Sequence, residues 1–180
     1  MRTFDPFSDR TARDLRNALS SALVEQLTGK ASDAVAHEAD QWRGRDLAPL
    51  YTAFMDHCQK SYQTVVDEVE AAGHTDPRHQ AVVLWNAGLF FELHELLETI
   101  WLKAKEPERT ALKGLIQAAG AFVHHLRGKP KAAGGLALRA RRHLREGAAA
   151  LGYIANLDRL IDDLVDLPDQ PPLLTLDPLL

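Results

Sequence analysis

Apolar residues recur three and four positions apart along nearly the whole chain, which is the spacing of one face of an α-helix. The clearest series is Leu15, Leu19, Leu23 and Leu27. No stretch alternates apolar and polar residues as a half-buried strand does. The sequence therefore predicts an all-α fold.

Capping residues, glycines and prolines divide this pattern into separate helices. The strongest start signal is Asp76 followed by Pro77, because the carboxylate can accept from free backbone N–H groups and proline is preset for the first helical position. The predicted helices cover residues 8–28, 46–72 with Asp46 as the cap, 76–85, 88–103 and 106–127, then one after Pro130 and one from about Asn156. Residues 30–44 are less regular. The proline-rich tail from Pro168 is predicted to be extended, with leucines that dock on the protein or on a partner.

These boundaries divide the chain into three parts. Residues 76–166 are the predicted core domain, a compact helical bundle. Its helices at 88–103 and 107–127 should form an antiparallel central pair, because the loop between them is very short. Residues 1–75 are a helical extension that we expect to pack on this core, and residues 167–180 are the extended tail.

Composition excludes several classes of protein. Hydrophobic residues make up 46% of the 180, enough for one sizeable core, and the net charge of -4 argues against general nucleic-acid affinity. The single cysteine, Cys58, excludes an internal disulfide and a cysteine-rich metal site. Neither a signal peptide nor an apolar run of about 20 residues is present. We therefore expect a soluble, cytoplasmic protein.

The helix at 88–103 carries the most informative cluster of side chains. Four residues recur at helical spacing on one side of it, namely Phe91, His94, Glu98 and Trp101. His94 and Glu98 are one turn apart and should lie almost above one another, facing the next helix. Glu95 lies nearer the rim, and Glu92 is predicted to point to solvent.

On the following helix, Gln117 and His124 are seven residues apart and so share a face. The surrounding residues are small: Gly114, Ala118, Gly120 and Ala121. Small residues let another backbone approach closely, so this helix should be covered on more than one face. Gln117 and His124 are therefore expected in a buried or cleft position.

Three interpretations of this polar centre stay open. In the first, it is a structural network in which Glu98 and Gln117 satisfy His94 and the indole N–H of Trp101. In the second, His94 and Glu98 bind a divalent metal, the third ligand comes from His124, His125 or another segment, and Glu95 is the general base. In the third, the cluster lines a small-ligand pocket without metal.

Two motifs at a fixed separation carry a family resemblance. They are Asn86, Gly88, the run Phe-Phe-Glu-Leu-His-Glu-Leu-Leu-Glu at 90–98 and Trp101, followed by the run Lys-Gly-Leu-Ile-Gln-Ala-Ala at 113–119. In this combination residues 80–144 resemble the bacterial and archaeal family called domain of unknown function 309. The resemblance implies a compact α-helical fold with His94, Glu95, Glu98, Trp101 and Gln117 at the motif positions. It implies no activity, because the family's label of metal-dependent hydrolase rests on the same histidine and carboxylates.

Positive charge is concentrated in a later stretch, opposed only by Glu146. Its members are Arg127, Lys129, Lys131, Arg139, Arg141, Arg142 and Arg145. This is either a solvated helix face or a site for a phosphate, an RNA backbone or an acidic partner. Nucleic acid is disfavoured, because the stretch has no aromatic residue for base stacking.

The sequence thus leaves three functions open. The first is a binding or scaffold role toward a small molecule or a protein partner, which includes a second copy of the chain. The second is a metal-dependent hydrolase that uses His94, Glu98 and Glu95. The third is an RNA- or phosphate-binding accessory role of the basic stretch.

Overall fold

Helices account for the architecture throughout residues 4–178, which are the part of the chain that the computed structural model describes. The α-helices there are α1 (Arg10–Leu27), α2 (Ala34–Arg43), α3 (Pro49–Ala71), α4 (Pro77–Asn86), α5 (Phe90–Trp101), α6 (Glu108–Leu126), α7 (Pro130–Glu146) and α8 (Leu157–Asp166), with a 3₁₀ turn at Ala148–Leu151. The all-α prediction is confirmed. None of these helices combines the length and the apolar character that crossing a bilayer requires.

Contacts between Cα atoms divide the chain into two units, Met1–Thr75 and Asp76–Leu180. The first unit contains α1, α2 and α3, and the second contains the remaining helices. The packing of residues 1–75 on the core stays a prediction.

Helix α1 of the first unit begins where the sequence predicts. The carboxylate of Asp9 accepts a hydrogen bond from the backbone N–H of Ala12 at 3.1 Å and another from the hydroxyl of Tyr51 at 2.7 Å. The first bond caps α1, and the second ties its start to α3. Gly29 ends the helix with a φ of 71°, a conformation that glycine adopts without steric cost.

Two local predictions in this unit are wrong. The less regular residues 30–44 contain α2, a ten-residue helix with Val35, Ala39 and Trp42 buried. A helix so short shows too few apolar repeats for a clear periodic signal. Asp46 does not cap α3 either, because that helix begins at Pro49 with Ala48 at its N-cap and no side-chain hydrogen bond there.

Helix α6 of the second unit packs against α5, α7 and the 3₁₀ turn. The predicted pairing of α5 with α6 exists, and α6 makes a still more extensive contact with α7 that the sequence did not predict. Small residues explain the difference. A Cβ added to Gly114 would lie 2.9 Å from the backbone N of Leu144, and one added to Gly147 would lie 2.6 Å from the backbone of Ala111.

Residues 167–178 form no helix and lie against the rest of the second unit. Ile154 and Leu176 form an isolated antiparallel bridge, and the side chain of Leu174 is buried. Trp85 donates its indole N–H to the carbonyl oxygen of Pro172 at 2.7 Å.

Candidate functional site

Helix α5 holds the predicted polar cluster at the edge of the core. Leu93, Leu96 and Leu97 are buried and anchor the helix. His94 and Glu98 lie beside this stripe, with 41% and 48% of their side chains exposed. Both are therefore accessible to a ligand from solvent, and neither is enclosed between helices.

Three side chains of α5 converge. His94 Nε2 lies 3.9 Å from Glu98 Oε2, as expected for residues one turn apart. Glu95 joins them, because one ligand atom from each of His94, Glu95 and Glu98 lies within 4.8 Å of the other two. An imidazole nitrogen and two carboxylates at this separation are a donor set that can hold a divalent metal ion.

The other members of the predicted metal set are placed differently. Within residues 4–178, neither His124 nor His125 belongs to this group, so the third potential ligand is Glu95. The Nε2 atom of His125 instead lies 3.2 Å from a carboxylate oxygen of Asp169. Both histidines lie in the last turn of α6.

Among the described residues, Gln117 does not take part in the predicted hydrogen-bond network with α5. Gln117 Oε1 instead lies 2.8 Å from Nδ1 of His143 on α7. Nη2 of Arg142 lies 3.3 Å from Nε2 of His143. Because arginine only donates, Nε2 accepts this hydrogen bond, so Nδ1 carries the ring hydrogen and donates to Gln117. Burial, and then the positive charges of Lys113 and Arg142, lower the pKa of His143. A neutral imidazole therefore joins α6 to α7.

Trp101 also departs from the predicted network. Its indole N–H is buried and finds no hydrogen-bond acceptor among residues 4–178, so neither Glu98 nor Gln117 accepts from it. The guanidinium carbon of Arg109 lies 4.4 Å from the centre of the indole ring, in the range of a cation–π contact. Trp101 thus packs under the first turns of α6.

The remaining residues of the predicted centre lie at the edges of the core. Phe91 is half-buried, and so is His124. Glu92, predicted to face solvent, is only 6% exposed. That prediction is wrong because α5 packs against both α4 and α6 and is enclosed on more than one face.

The predicted basic stretch is divided by the structure. Lys129, Lys131 and Arg139 line a cavity of about 610 Å³ at the start of α7. The guanidinium of Arg139 folds back over the helix, with Nη1 3.8 Å from the position of a Cβ on Gly135. Arg142 lies elsewhere, next to His143 and 3.9 Å from Glu146. Arg127 and Arg145 are exposed and do not line the cavity.

Two residues with clear structural roles were not predicted as site residues. His143 was not singled out from the sequence, and Asn86 was named only as a residue of the family motif. A polar residue within a buried stripe needs a partner, and this is the signal that could have identified His143. The partners of Asn86 lie 88 positions away, and no local pattern indicates a partner at that separation.

Comparison with protein families supports the expected relationship. Residues 79–136 match the model of the Domain of unknown function (DUF309). This match confirms the resemblance predicted over about residues 80–144. It includes all of α5 and α6 and ends within α7 before His143. Neither the curated proteins nor the solved structures contain a match to this chain.

Proposed function

We propose that the Asp76–Leu180 unit binds a divalent transition-metal ion through His94, Glu95 and Glu98. The observation that carries the proposal is the convergence of one imidazole and two carboxylates within 4.8 Å. One imidazole with carboxylate oxygens suits Zn²⁺, Mn²⁺ or Fe²⁺, whereas sites of thiolates are excluded for a chain with one cysteine.

The distances are compatible with closure around an ion. Ligand atoms of a tetrahedral ion with bonds of about 2.1 Å lie about 3.4 Å apart. No separation in the cluster exceeds this value by more than about 1.4 Å. Because the side chains are half-exposed, small rotations of their torsions can close that gap without moving α5. The exposed side also leaves coordination positions for water or for a second molecule.

The same geometry favours binding over hydrolysis. The hydrolase interpretation needs Glu95 as a general base beside a separate ligand set. The Glu95 carboxylate lies among the ligand atoms, and the histidines at the end of α6 do not take its place. When Glu95 serves as a ligand, no second carboxylate of the cluster is left to act as the base.

Zinc titration of the full chain without an affinity tag tests the proposal. We expect His94→Ala and Glu98→Gln each to weaken Zn²⁺ binding at least tenfold in isothermal titration calorimetry. His37→Ala is the matched control, because His37 is an exposed histidine on α2 that pairs with Gln41 one turn away. Unchanged zinc affinity in His94→Ala and Glu98→Gln would overturn the proposal.

Glu95→Gln separates the two metal interpretations. If Glu95 is a ligand, zinc affinity falls in this variant as it does in Glu98→Gln. If Glu95 is only a general base, affinity is retained and only a catalysed reaction is lost. Retained affinity would restore the hydrolase interpretation.

A second candidate function is phosphate binding in the cavity lined by Lys129, Lys131 and Arg139. Within residues 4–178 none of these three cations forms an ion pair, and three cations around one surface attract a multivalent anion. No aromatic residue lines the cavity, so it favours a phosphate group over a nucleic-acid base. Pyrophosphate should bind at low salt, more weakly with added salt, and at least tenfold more weakly in Arg139→Gln. Arg145→Gln is the control, and equal binding in both variants would refute this function.

A further inference from the structure

The C-terminal segment of the chain is held as a short strand. Ala155 donates its backbone N–H to the carbonyl of Thr175 at 2.8 Å, and Asp177 donates its N–H to the carbonyl of Tyr153 at 2.9 Å. These two bonds flank the bridge between Ile154 and Leu176. Residues 175–177 therefore pair with residues 153–155 as antiparallel strands do.

Two asparagine side chains extend this pairing. Asn86 donates to the carbonyl of Leu174 at 2.9 Å and accepts from its N–H at 2.7 Å. Asn156 donates to the carbonyl of Leu173 at 2.8 Å and accepts from the N–H of Thr175 at 2.9 Å. In an extended chain, successive residues direct their backbone groups to opposite edges. Asn86 therefore binds one edge of the segment, and Asn156 binds the other.

Recognition of the segment combines these backbone hydrogen bonds with the burial of two side chains. Pro172 and Leu174 are buried, whereas Leu173 is 67% exposed. Trp85 adds a hydrogen bond to the carbonyl of Pro172. This surface, formed by residues 85–86 and 153–156, is named the tail groove below. It accepts an extended peptide in the manner of strand addition to a sheet edge.

The connection into the tail groove is short and strained. Leu167 ends α8 with a φ of 48°, the left-handed conformation that residues with a side chain adopt at a cost. Residues 167–171 alone join α8 to the bound segment, and Pro168 and Pro171 stiffen them. If the segment leaves the groove, Leu167 can return to an ordinary backbone conformation.

We propose that the tail groove also accepts the C-terminal segment of a second copy of this chain, which produces a dimer by exchange of tails. Every contact within the groove is the same whether the segment comes from the same chain or from another. The balance between the two forms therefore depends on the connection. Relief of the Leu167 strain in both copies favours the exchanged dimer, and dilution favours the closed monomer.

The oligomeric state of the full chain tests the exchange. We expect the parent chain, incubated at high concentration in mild denaturant and then returned to buffer, to contain a dimer in size-exclusion chromatography with light scattering. Deletion of Gln170 should increase the dimer fraction, because a shorter connection folds back less readily. Leu167→Gly should weaken the dimer at least tenfold, because glycine removes the left-handed strain of the closed form in both copies. Leu173→Ala is the control and should leave the fraction unchanged.

A disulfide trap then shows where the exchanged segment lies. Ile154 and Leu176 are directly opposite one another, so single variants Ile154→Cys and Leu176→Cys, mixed and oxidised, should form a covalent dimer. Leu138→Cys, at an exposed position of α7, replaces Leu176→Cys in the control mixture and should not. The proposal is overturned if both the parent chain and the Gln170 deletion stay monomeric. It is equally overturned if a dimer forms but the first mixture does not cross-link.

Discussion

Gly147 is the position where the packing of α7 on α6 can be tested most directly. A Cβ at this position would lie 2.6 Å from the Cα and N atoms of Ala111 and 2.7 Å from its Cβ. Ordinary contacts begin at 3.4 Å, so after Gly147→Ala the two backbones must separate locally by about 0.8 Å to reach one. The φ of Gly147 is -97°, which alanine adopts freely. Any loss of stability in Gly147→Ala therefore comes from lack of space and not from backbone strain.

The expected loss of stability follows from two opposing contributions. Forcing an extra methyl group into a packed site costs about 1–3 kcal/mol, and the upper part of this range applies because the obstacle is backbone. Replacing glycine by alanine restores about 0.4–1 kcal/mol through the lower entropy of the unfolded chain. The net loss is about 2 kcal/mol, which lowers the melting temperature of a unit of this size by about 10 °C.

Urea unfolding followed by tryptophan fluorescence measures this loss. A Trp42→Phe background confines the signal to Trp85 and Trp101, which both belong to the second unit. Gly134→Ala is the control in the same helix, because a Cβ at that position meets no atom within 4 Å. The free energy of unfolding of this control should rise by about 0.5–1 kcal/mol, because alanine favours the helix more than glycine does. Equal stability of the two variants would show that Gly147 does not lie in close contact with Ala111.

Three further predictions concern single groups of the second unit. Tyr153→Phe should raise the free energy of unfolding by about 1 kcal/mol, because the buried hydroxyl has no hydrogen-bond partner in the described part of the chain. A lower free energy of unfolding in urea would contradict this prediction. The pKa of His143 is lowered, so the contribution of His143 to the free energy of unfolding is complete above pH 6.5 and is lost as the pH falls through the folded-state pKa. The urea midpoint should therefore change more between pH 7 and pH 5 in the parent than in His143→Gln. Equal changes would contradict this prediction. A hydrogen bond from Arg78 lowers the pKa of Asp76. Asp76→Ala should cost about 1 kcal/mol at pH 7 by loss of the cap, and it should make stability less dependent on pH below pH 4. Thermal melts at pH 7 and pH 3 would check both effects.

Local signals in the sequence were sufficient for most helix boundaries. Asp9 and Asp76 each accept a backbone N–H at the start of a helix, as their positions before α1 and α4 predict. Gly29, Gly73 and Gly128 end three helices with positive φ. These features depend only on residues within one turn, so a single sequence contains all the information that fixes them.

Partners between helices could not be predicted in the same way. Gln117 was expected to pair with α5, yet its partner is His143 on α7. Periodicity identifies which face of α6 is polar or small, but it does not state which neighbouring helix covers that face. The choice follows from the close approach at Gly114 and Gly147, which places α7 nearest to α6.

Because the polar cluster lies on one helix, substitutions in it should affect metal binding without affecting the stability of the fold. An exposed histidine–glutamate pair contributes at most about 1 kcal/mol, and His94 is 41% exposed with its nearest carboxylate oxygen of Glu98 at 3.9 Å. His94→Ala should therefore unfold within about 0.5 kcal/mol of the parent in metal-free urea titrations, although it loses zinc affinity. A network that fixes helix geometry predicts the opposite, since breaking it leaves buried groups unpaired at a cost of about 1–3 kcal/mol. A large loss of stability in metal-free His94→Ala would therefore refute the binding interpretation and restore the structural one.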